Sequence, residues 1–297
     1  MNRVELKHIF VRPPNPFAGW QQKAQTTLFL LFLLDVGVVW VRLWVPDALF
    51  GAAAWPEGAL LLLAAGSTLA SLSGQVPAQN AVLAAVVIGC AGGAAHMLGG
   101  LTGVPFGPFV YHPQNIGQML FNSLPWTVPL IWVVVLLNSR GVARLMLRRV
   151  RRKTGYGFYV MGLTVVLVVL FELSWEPYAA SVKQYWSWKP TRIPSDWYTA
   201  PWTNFLGWAV MTTLILLFVT PALINKSPIK SPPSHQPLIL WELLSLLLLT
   251  AAALRHLRSA VILVAVQMFL VATLSLLGSK AKSSSSHTPQ GSLSKLP

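Results

Sequence analysis

The sequence predicts an all-α, polytopic integral membrane protein: a bundle of about eight transmembrane helices, seven being the alternative count. Three observations carry that expectation. Of 297 residues, 54% are hydrophobic and only 10% charged, against about 25% charged in soluble chains. The charges stand at the edges of apolar runs that approach the roughly 20 residues a helix needs to cross a bilayer. Finally, the formal charge of +14 is spread over the connecting segments rather than gathered in a folded basic domain. It therefore reads as a positive excess on cytoplasmic loops and not as a nucleic-acid surface. A disulfide framework is excluded, because Cys90 is the single cysteine and sits in an apolar stretch.

Eight stretches qualify or come close: Thr26–Val45, Gly58–Ser73, Asn80–Leu98, Pro125–Asn138, Gly157–Glu176, Pro201–Ile224, Leu238–Ala253 and Ser259–Gly278. The second, fourth and seventh are short, and would tilt less, thin the bilayer locally or extend into their flanks. The first follows Arg12-Pro-Pro-Asn-Pro-Phe17 and has no small-residue cleavage site behind it, so it is expected to be retained rather than removed as a signal peptide. Residues 1–278 are expected to form one helical domain and residues 279–297, rich in Ser and Lys, a disordered cytoplasmic tail. Ser227–Pro237 reads as a linker rich in Pro and Ser. With both termini on one side, that side receives sixteen Lys and Arg and the other six. The asymmetry puts both termini in the cytoplasm, with a bacterial inner membrane as the expected location. The run from Arg140 to Lys153 reads as a topogenic loop facing anionic lipid.

Two segments do not look like loops. Leu98–Leu124 has no Lys, Arg, Asp or Glu, five glycines, three prolines and four aromatic residues. Solvent would demand charge, and a helix would not tolerate Pro105, Pro108 and Pro113 so close together. Irregular backbone at membrane depth survives where protein buries it or where it lines a cavity. The segment is thus expected to be re-entrant or packed over the mouth of a pocket. Glu172–Trp208 holds six of the thirteen tryptophans, Trp175, Trp186, Trp188, Trp197, Trp202 and Trp208. An interfacial aromatic belt accounts for rings of this kind. It does not account for the acids among them.

Those acids are Glu172 and Glu176, four residues apart at the end of the fifth span, on one helix face, with Pro177 expected to end the helix. Two carboxylates at that spacing in a low-dielectric setting do not both ionise cheaply, which leaves a proton for general-acid work. Pairing with Lys183 or Lys189 is the plainer reading of Glu176. Glu172 lies a turn deeper, and an intramembrane acid is a functional-site candidate by default. Asp35, mid-span in the first helix with Arg42 two turns on, His96 at the close of the third span, and Glu242 near one end of the seventh complete the candidate set. No HxxH, CxxC or clustered His/Asp set has metal-ligand spacing, and neither GxGxxG nor GxxxxGK[ST] occurs.

The stretch His96-Met-Leu-Gly-Gly-Leu-Thr-Gly-Val-Pro-Phe-Gly-Pro-Phe-Val-Tyr111 resembles a signature of the membrane carotenoid biosynthesis family, with Thr102-Gly-x-Pro-Phe-Gly107 and then Tyr111 as its most specific part. That family includes the carotenoid 1,2-hydratases and the bisanhydrobacterioruberin hydratases. A second block is similar: Glu172-x-x-x-Glu176-Pro177, Tyr185-Trp-x-Trp188, and Trp197-Tyr-x-x-Pro-x-x-Asn-Phe-x-Gly-Trp208. The likeness spans about Gly92–Pro221. The chain departs from the family pattern at His96, where a glutamate is usual, and at Glu176, where an aspartate is usual.

The resemblance implies addition of water to a terminal isoprenoid double bond of a carotene, a substrate that already resides in the bilayer. Such hydration needs a desolvated acid, a way to stabilise a tertiary cation, and one positioned water. No cofactor and no metal are expected. Glu172, Glu176, His96 and Asp35 are the candidate proton-handling residues. Thr102, Pro105, Phe106, Tyr111, Trp186, Trp188, Asn204 and Trp208 are the candidate substrate-binding ones, the indole faces stabilising positive charge. Two rival readings stay open: a lipid or ion transporter with Asp35, Glu172 and Glu242 along a polar pathway, and a non-catalytic membrane partner of other carotenoid-pathway enzymes. No nucleic acid is expected among the partners.

Overall fold

A computed structural model describes residues 18–45, 55–190, 197–224 and 234–280. The Pro-rich lead-in up to Phe17, most of the Ser227–Pro237 linker and the Ser-rich tail lie outside the described residues. Eight long helices account for most of the rest: α1 (Ala18–Trp44), α2 (Trp55–Ser73), α3 (Ala78–Thr102), α4 (Thr127–Met146), α5 (Tyr156–Glu176), α6 (Trp202–Val219), α7 (Gln236–Leu254) and α8 (Arg258–Ser279). Seven helices are long and apolar enough to cross a membrane, and α2 is the one that falls short. Its sequence explains why. Ser67, Thr68 and Ser71 are all buried, and they dilute its hydropathy while meeting polar partners: Gln236 Nε2 donates to Ser67 Oγ at 2.5 Å and Asn138 Nδ2 to Thr68 Oγ1 at 2.8 Å.

The helices run alternately up and down. At one end Gln21 of α1 donates to the Ser73 carbonyl of α2 (3.2 Å), Asn80 of α3 to the Ala222 carbonyl just past α6 (3.1 Å), and Arg148 just past α4 to the Ser279 carbonyl of α8 (2.9 Å). This end carries Arg140, Arg144 and the basic residues that follow, and is called the basic end below. At the opposite end Arg42 of α1 meets Glu57 of α2 at 3.6 Å, and Lys183, beyond α5, meets the same carboxylate at 2.8 Å. This end contains Glu172 and Glu176 and is called the acid end. α4 is the most buried of the candidate spans and α1 the least. The core is accordingly built around Trp132, Val134 and Leu136 of α4.

Several boundaries differ from the sequence expectation: α1 begins at Ala18 rather than Thr26, α6 ends at Val219 rather than Ile224, and three further differences shape the two ends. The fourth span does not stop at Asn138. It continues to Met146 with a 3₁₀ turn over Leu147–Val150, so Arg140 and Arg144 belong to the helix and not to a loop, and Arg140 is only 8% exposed. The buried guanidinium is admitted because Arg140 Nη2 donates to the Leu223 carbonyl at 3.1 Å. Pro177 ends the α-helical bonding but not the helix, which goes on as a π-helical turn through Val182. Proline has no N–H for the carbonyl of Leu173, and the Trp197 indole N–H takes that acceptor instead at 2.9 Å. Finally, α3 runs four residues past Leu98, and the remainder of Leu98–Leu124 forms a strap across the acid end. It contains strand β1 (Phe109–Tyr111), a helical turn (Pro113–Ile116), and a small hairpin of β2 (Met119–Leu120) and β3 (Leu124–Pro125). β1 pairs antiparallel with β4 (Trp186–Trp188), Phe109 opposite Trp188 and Tyr111 opposite Trp186.

That short ribbon ties the Gly/Pro segment to the Trp-rich segment, and the close approach depends on glycine at two points. Gly107 has φ +110°, a conformation that side chains disfavour. On α6, a Cβ at Gly207 would lie 2.7 Å from the Phe106 ring and 2.9 Å from the Pro105 carbonyl oxygen.

Candidate functional site

The acid end converges on Glu172 and Glu176. Both project from the last turn of α5 and are buried, Glu176 completely. A buried carboxylate survives by accepting hydrogen bonds. Glu172 Oε1 accepts from Asn204 Nδ2 of α6 at 2.8 Å. Glu176 Oε1 accepts from two indoles of β4, Trp188 Nε1 at 2.6 Å and Trp186 Nε1 at 3.3 Å. Its other oxygen, Oε2, is buried with no hydrogen-bond partner among the described residues. The two carboxyl groups are close enough to act on each other electrostatically. Lys183 does not pair with Glu176, because Glu57 holds it.

The two acids face different surroundings. A cavity of about 10 Å³ is lined by Glu172 together with His96, Phe106, Phe109, Tyr111, Asn204 and the two strand tryptophans. That is about the volume that holds a single water. Glu176 does not line it. It stands behind, gripping the indoles that form one wall.

His96 of α3 sits at the junction with a second cavity of about 40 Å³, whose lining includes Leu61, Val128, Ile131, Trp175, Trp186 and Trp208. Nδ1 of His96 lies 2.9 Å from Tyr111 Oη, and Nε2 is buried with no hydrogen-bond partner among the described residues. Burial pushes the Tyr111 phenol well above its ordinary range, so it remains an O–H. Aromatic rings enclose the imidazole: Phe106 at 4.5 Å, Trp208 at 5.6 Å and Trp132 at 6.0 Å between centroids. A third cavity, also about 40 Å³, continues the second toward α1 and α7, sharing Glu57, Leu61, Ile131 and Trp175 and adding Val39, Phe171 and Leu244.

Of the twelve residues expected to handle protons or bind substrate, the structure brings nine together around these cavities: Glu172, Glu176, His96, Phe106, Tyr111, Trp186, Trp188, Asn204 and Trp208. Three stand apart. Thr102 is exposed, and its hydroxyl serves the end of α3, donating to the Leu98 carbonyl at 2.8 Å and accepting from the Val104 N–H at 3.2 Å. Pro105 contributes backbone against Gly207. Asp35 is buried on α1 near Glu57, with one oxygen unpartnered among the described residues, and lines none of the three cavities. Arg42, its expected partner, meets Glu57. Glu242 also lines none of them, so these cavities do not join Asp35, Glu172 and Glu242 into one polar path.

Sequence reasoning passed over Trp132, which stacks on Trp208 with centroids 3.9 Å apart and planes 11° from parallel. Its signal was Gly92, in the middle of α3, where any Cβ would run into the Trp132 ring. Phe109 was noticed only as one of four aromatics, yet it wedges between Tyr111 and Trp188 at 5.1 and 5.6 Å.

Comparison with known proteins identifies the family. The model of a family described as carotenoid biosynthesis protein matches residues 57–274, a range that contains every residue of the three cavities except Val39 and Leu43. A bisanhydrobacterioruberin hydratase of Haloarcula japonica is 27% identical over 123 residues, 41% of this chain and 39% of the relative. The match thus spans about two fifths of that protein's length. No solved structure matches the chain.

Proposed function

The chain belongs to the carotenoid biosynthesis protein family, and from that premise we propose that it adds water to a terminal isoprenoid double bond of a carotene, giving a tertiary alcohol end group. The observation that carries the reading is the position of Glu172: a buried acid facing a water-sized cavity, with an aromatic enclosure on one side and a second acid held behind it. The distant likeness to a carotenoid hydratase supports the same class of reaction.

The roles follow from the hydrogen bonds. Two indole N–H groups converge on Glu176 Oε1 and favour its anion, whereas Glu172 Oε1 accepts an amide N–H, with the Trp208 indole beside the carboxyl, and feels its neighbour's charge. The shared proton is therefore assigned to Glu172, which delivers it to the less substituted alkene carbon. The tertiary cation that forms lies among Phe106, Trp208 and the strand indoles, whose faces each contribute about 0.5–2 kcal/mol of stabilisation. Water adds to the cation and returns a proton to Glu172, so the acid is regenerated and the net change is one water gained. With the Tyr111 O–H donating to Nδ1, neutral His96 carries its proton on Nε2, directed at the enclosure, where it orients the water oxygen. Glu176 is a positioning residue, holding Trp186 and Trp188 in place.

The substrate end reaches Glu172 through the chain of apolar cavities that starts beside α1 and α7, passes Trp175 and arrives at His96. Their lining suits a hydrocarbon polyene entering from the lipid. The test is expression in a host that makes lycopene or γ-carotene, with pigments analysed by mass and with oxygen-labelled water. A product heavier by one water, with the label in its hydroxyl, is expected. Unchanged pigments, or a hydroxyl drawn from molecular oxygen, overturn the reading.

A further inference from the structure

A cavity of about 340 Å³, larger than those at the acid end, lies at the other end of the bundle. It is lined by Gln75, Arg140, Arg144 and Tyr156, with Val160, Met161, Leu216 and Ile224 along an apolar cleft between α5 and the end of α6. That volume is in the range of small-molecule sites, about 300–1,000 Å³. Arg140 and Arg144 are four residues apart on α4 and so share a face. Arg140 is 8% exposed, yet no carboxylate neighbours it among the described residues; the charged and titratable groups that act on it are Arg144 and Tyr156. Arg140 contacts the dipole of the Leu223 carbonyl, and Arg144 contacts the side-chain oxygen of Gln75 at 3.2 Å and the Tyr156 hydroxyl. The Thr220 hydroxyl, also on the lining, is buried with no partner among the described residues.

Two guanidinium groups of like charge, one of them buried, cost free energy unless an anion joins them. Guanidinium forks match phosphate oxygens in geometry as well as charge. We infer that this cavity binds a phosphate group, Arg140 and Arg144 clamping its oxygens, Thr220 and Tyr156 supplying hydroxyls, and the apolar cleft receiving a lipid tail when the phosphate is a headgroup. The site is independent of the acid-end chemistry.

The test uses the full-length protein in neutral detergent, titrated separately with dioleoyl phosphatidylglycerol and with inorganic pyrophosphate, binding being read by native mass spectrometry. Arg144→Gln is expected to weaken binding about tenfold. Arg149→Gln, an exposed arginine of the same end that reaches the Leu277 carbonyl, should leave it unchanged. Arg140→Lys keeps the charge and loses the fork, so it also weakens binding; thermal unfolding of each variant reports whether it folded. Binding of the lipid alone identifies a headgroup site, and binding of pyrophosphate alone or of both identifies a site open to free phosphate. Failure of both probes to bind the wild type, or equal binding by wild type, Arg144→Gln and Arg149→Gln, overturns the inference.

Discussion

The acid end and the basic end of this bundle bury ionisable groups of opposite sign, and among the described residues neither has a counter-ion at its centre. At the acid end, Glu172 and Glu176 are met by an amide and two indole N–H groups. At the basic end, Arg140 is met by a backbone carbonyl. Neutral dipoles lower the cost of a buried charge without cancelling it. A carboxyl so held remains able to give and take a proton, and a guanidinium so held remains able to take an anion. Ion pairs do occur at the acid end, but at its edge, where Glu57 meets Arg42 and Lys183. The contrast separates charges that staple helices from charges that are left available.

The largest test of that contrast is topological. Reporter fusions after Lys153, at the basic end, and after Lys189, at the acid end, are expected on opposite sides of the membrane, with Lys153 cytoplasmic. If both report the same side, the ends are not two faces of one bundle. Next comes the chemistry. Glu172→Gln is expected to remove roughly 10²–10⁴ of the activity, the usual worth of a general acid. Glu176→Gln keeps an oxygen for the two indoles and should lose far less. Equal losses would mean that the two acids share one role.

The spans were legible in the sequence because hydropathy and length suffice in a bilayer. Their ends were not. The fourth span was read as stopping at Asn138 because Arg140 looked like the start of a loop, whereas a carbonyl from the end of α6 admits it. Glu172 and Glu176 were legible as a pair from their spacing, but not as unequal partners: that depends on which one β4 captures, and the pairing of β4 with β1 is a contact between residues about 77 apart. The charge-free Leu98–Leu124 segment was legible as a cap. Thr102 within its signature suggested a ligand and proved to finish a helix.

Smaller effects sharpen the contrast at the acid end itself. Gly207→Val puts a branched side chain where the Pro105 carbonyl and Phe106 ring already stand. Overpacking of this kind costs about 1–3 kcal/mol, visible as a lower Tm in detergent, with product loss because the strap is displaced. Trp188→Phe keeps a ring but deletes the 2.6 Å bond to Glu176, and Trp186→Phe deletes the 3.3 Å one. Hydrogen bonds to a charged group are worth about 1.5–3 kcal/mol, so the Trp188 variant should unfold at the lower temperature. The reverse order would assign Glu176 to Trp186 instead.

The smallest expected effect concerns Thr102, in the most specific part of the family signature yet outside the cavities. Its hydroxyl bridges the Leu98 carbonyl and the Val104 N–H. Removing it in Thr102→Ala leaves the other device that ends α3 intact: Gly103, at φ +80°, still donates its N–H to the Gly99 carbonyl. The loss should therefore be about 0.5–1.5 kcal/mol of stability and no change in product. Glu242→Gln, outside the three cavities, is expected to leave product unchanged as well. If Thr102→Ala abolished product while Tm held, a residue outside the enclosure would be acting on the chemistry. The groups that face the substrate would then include the end of α3, and not only the enclosure.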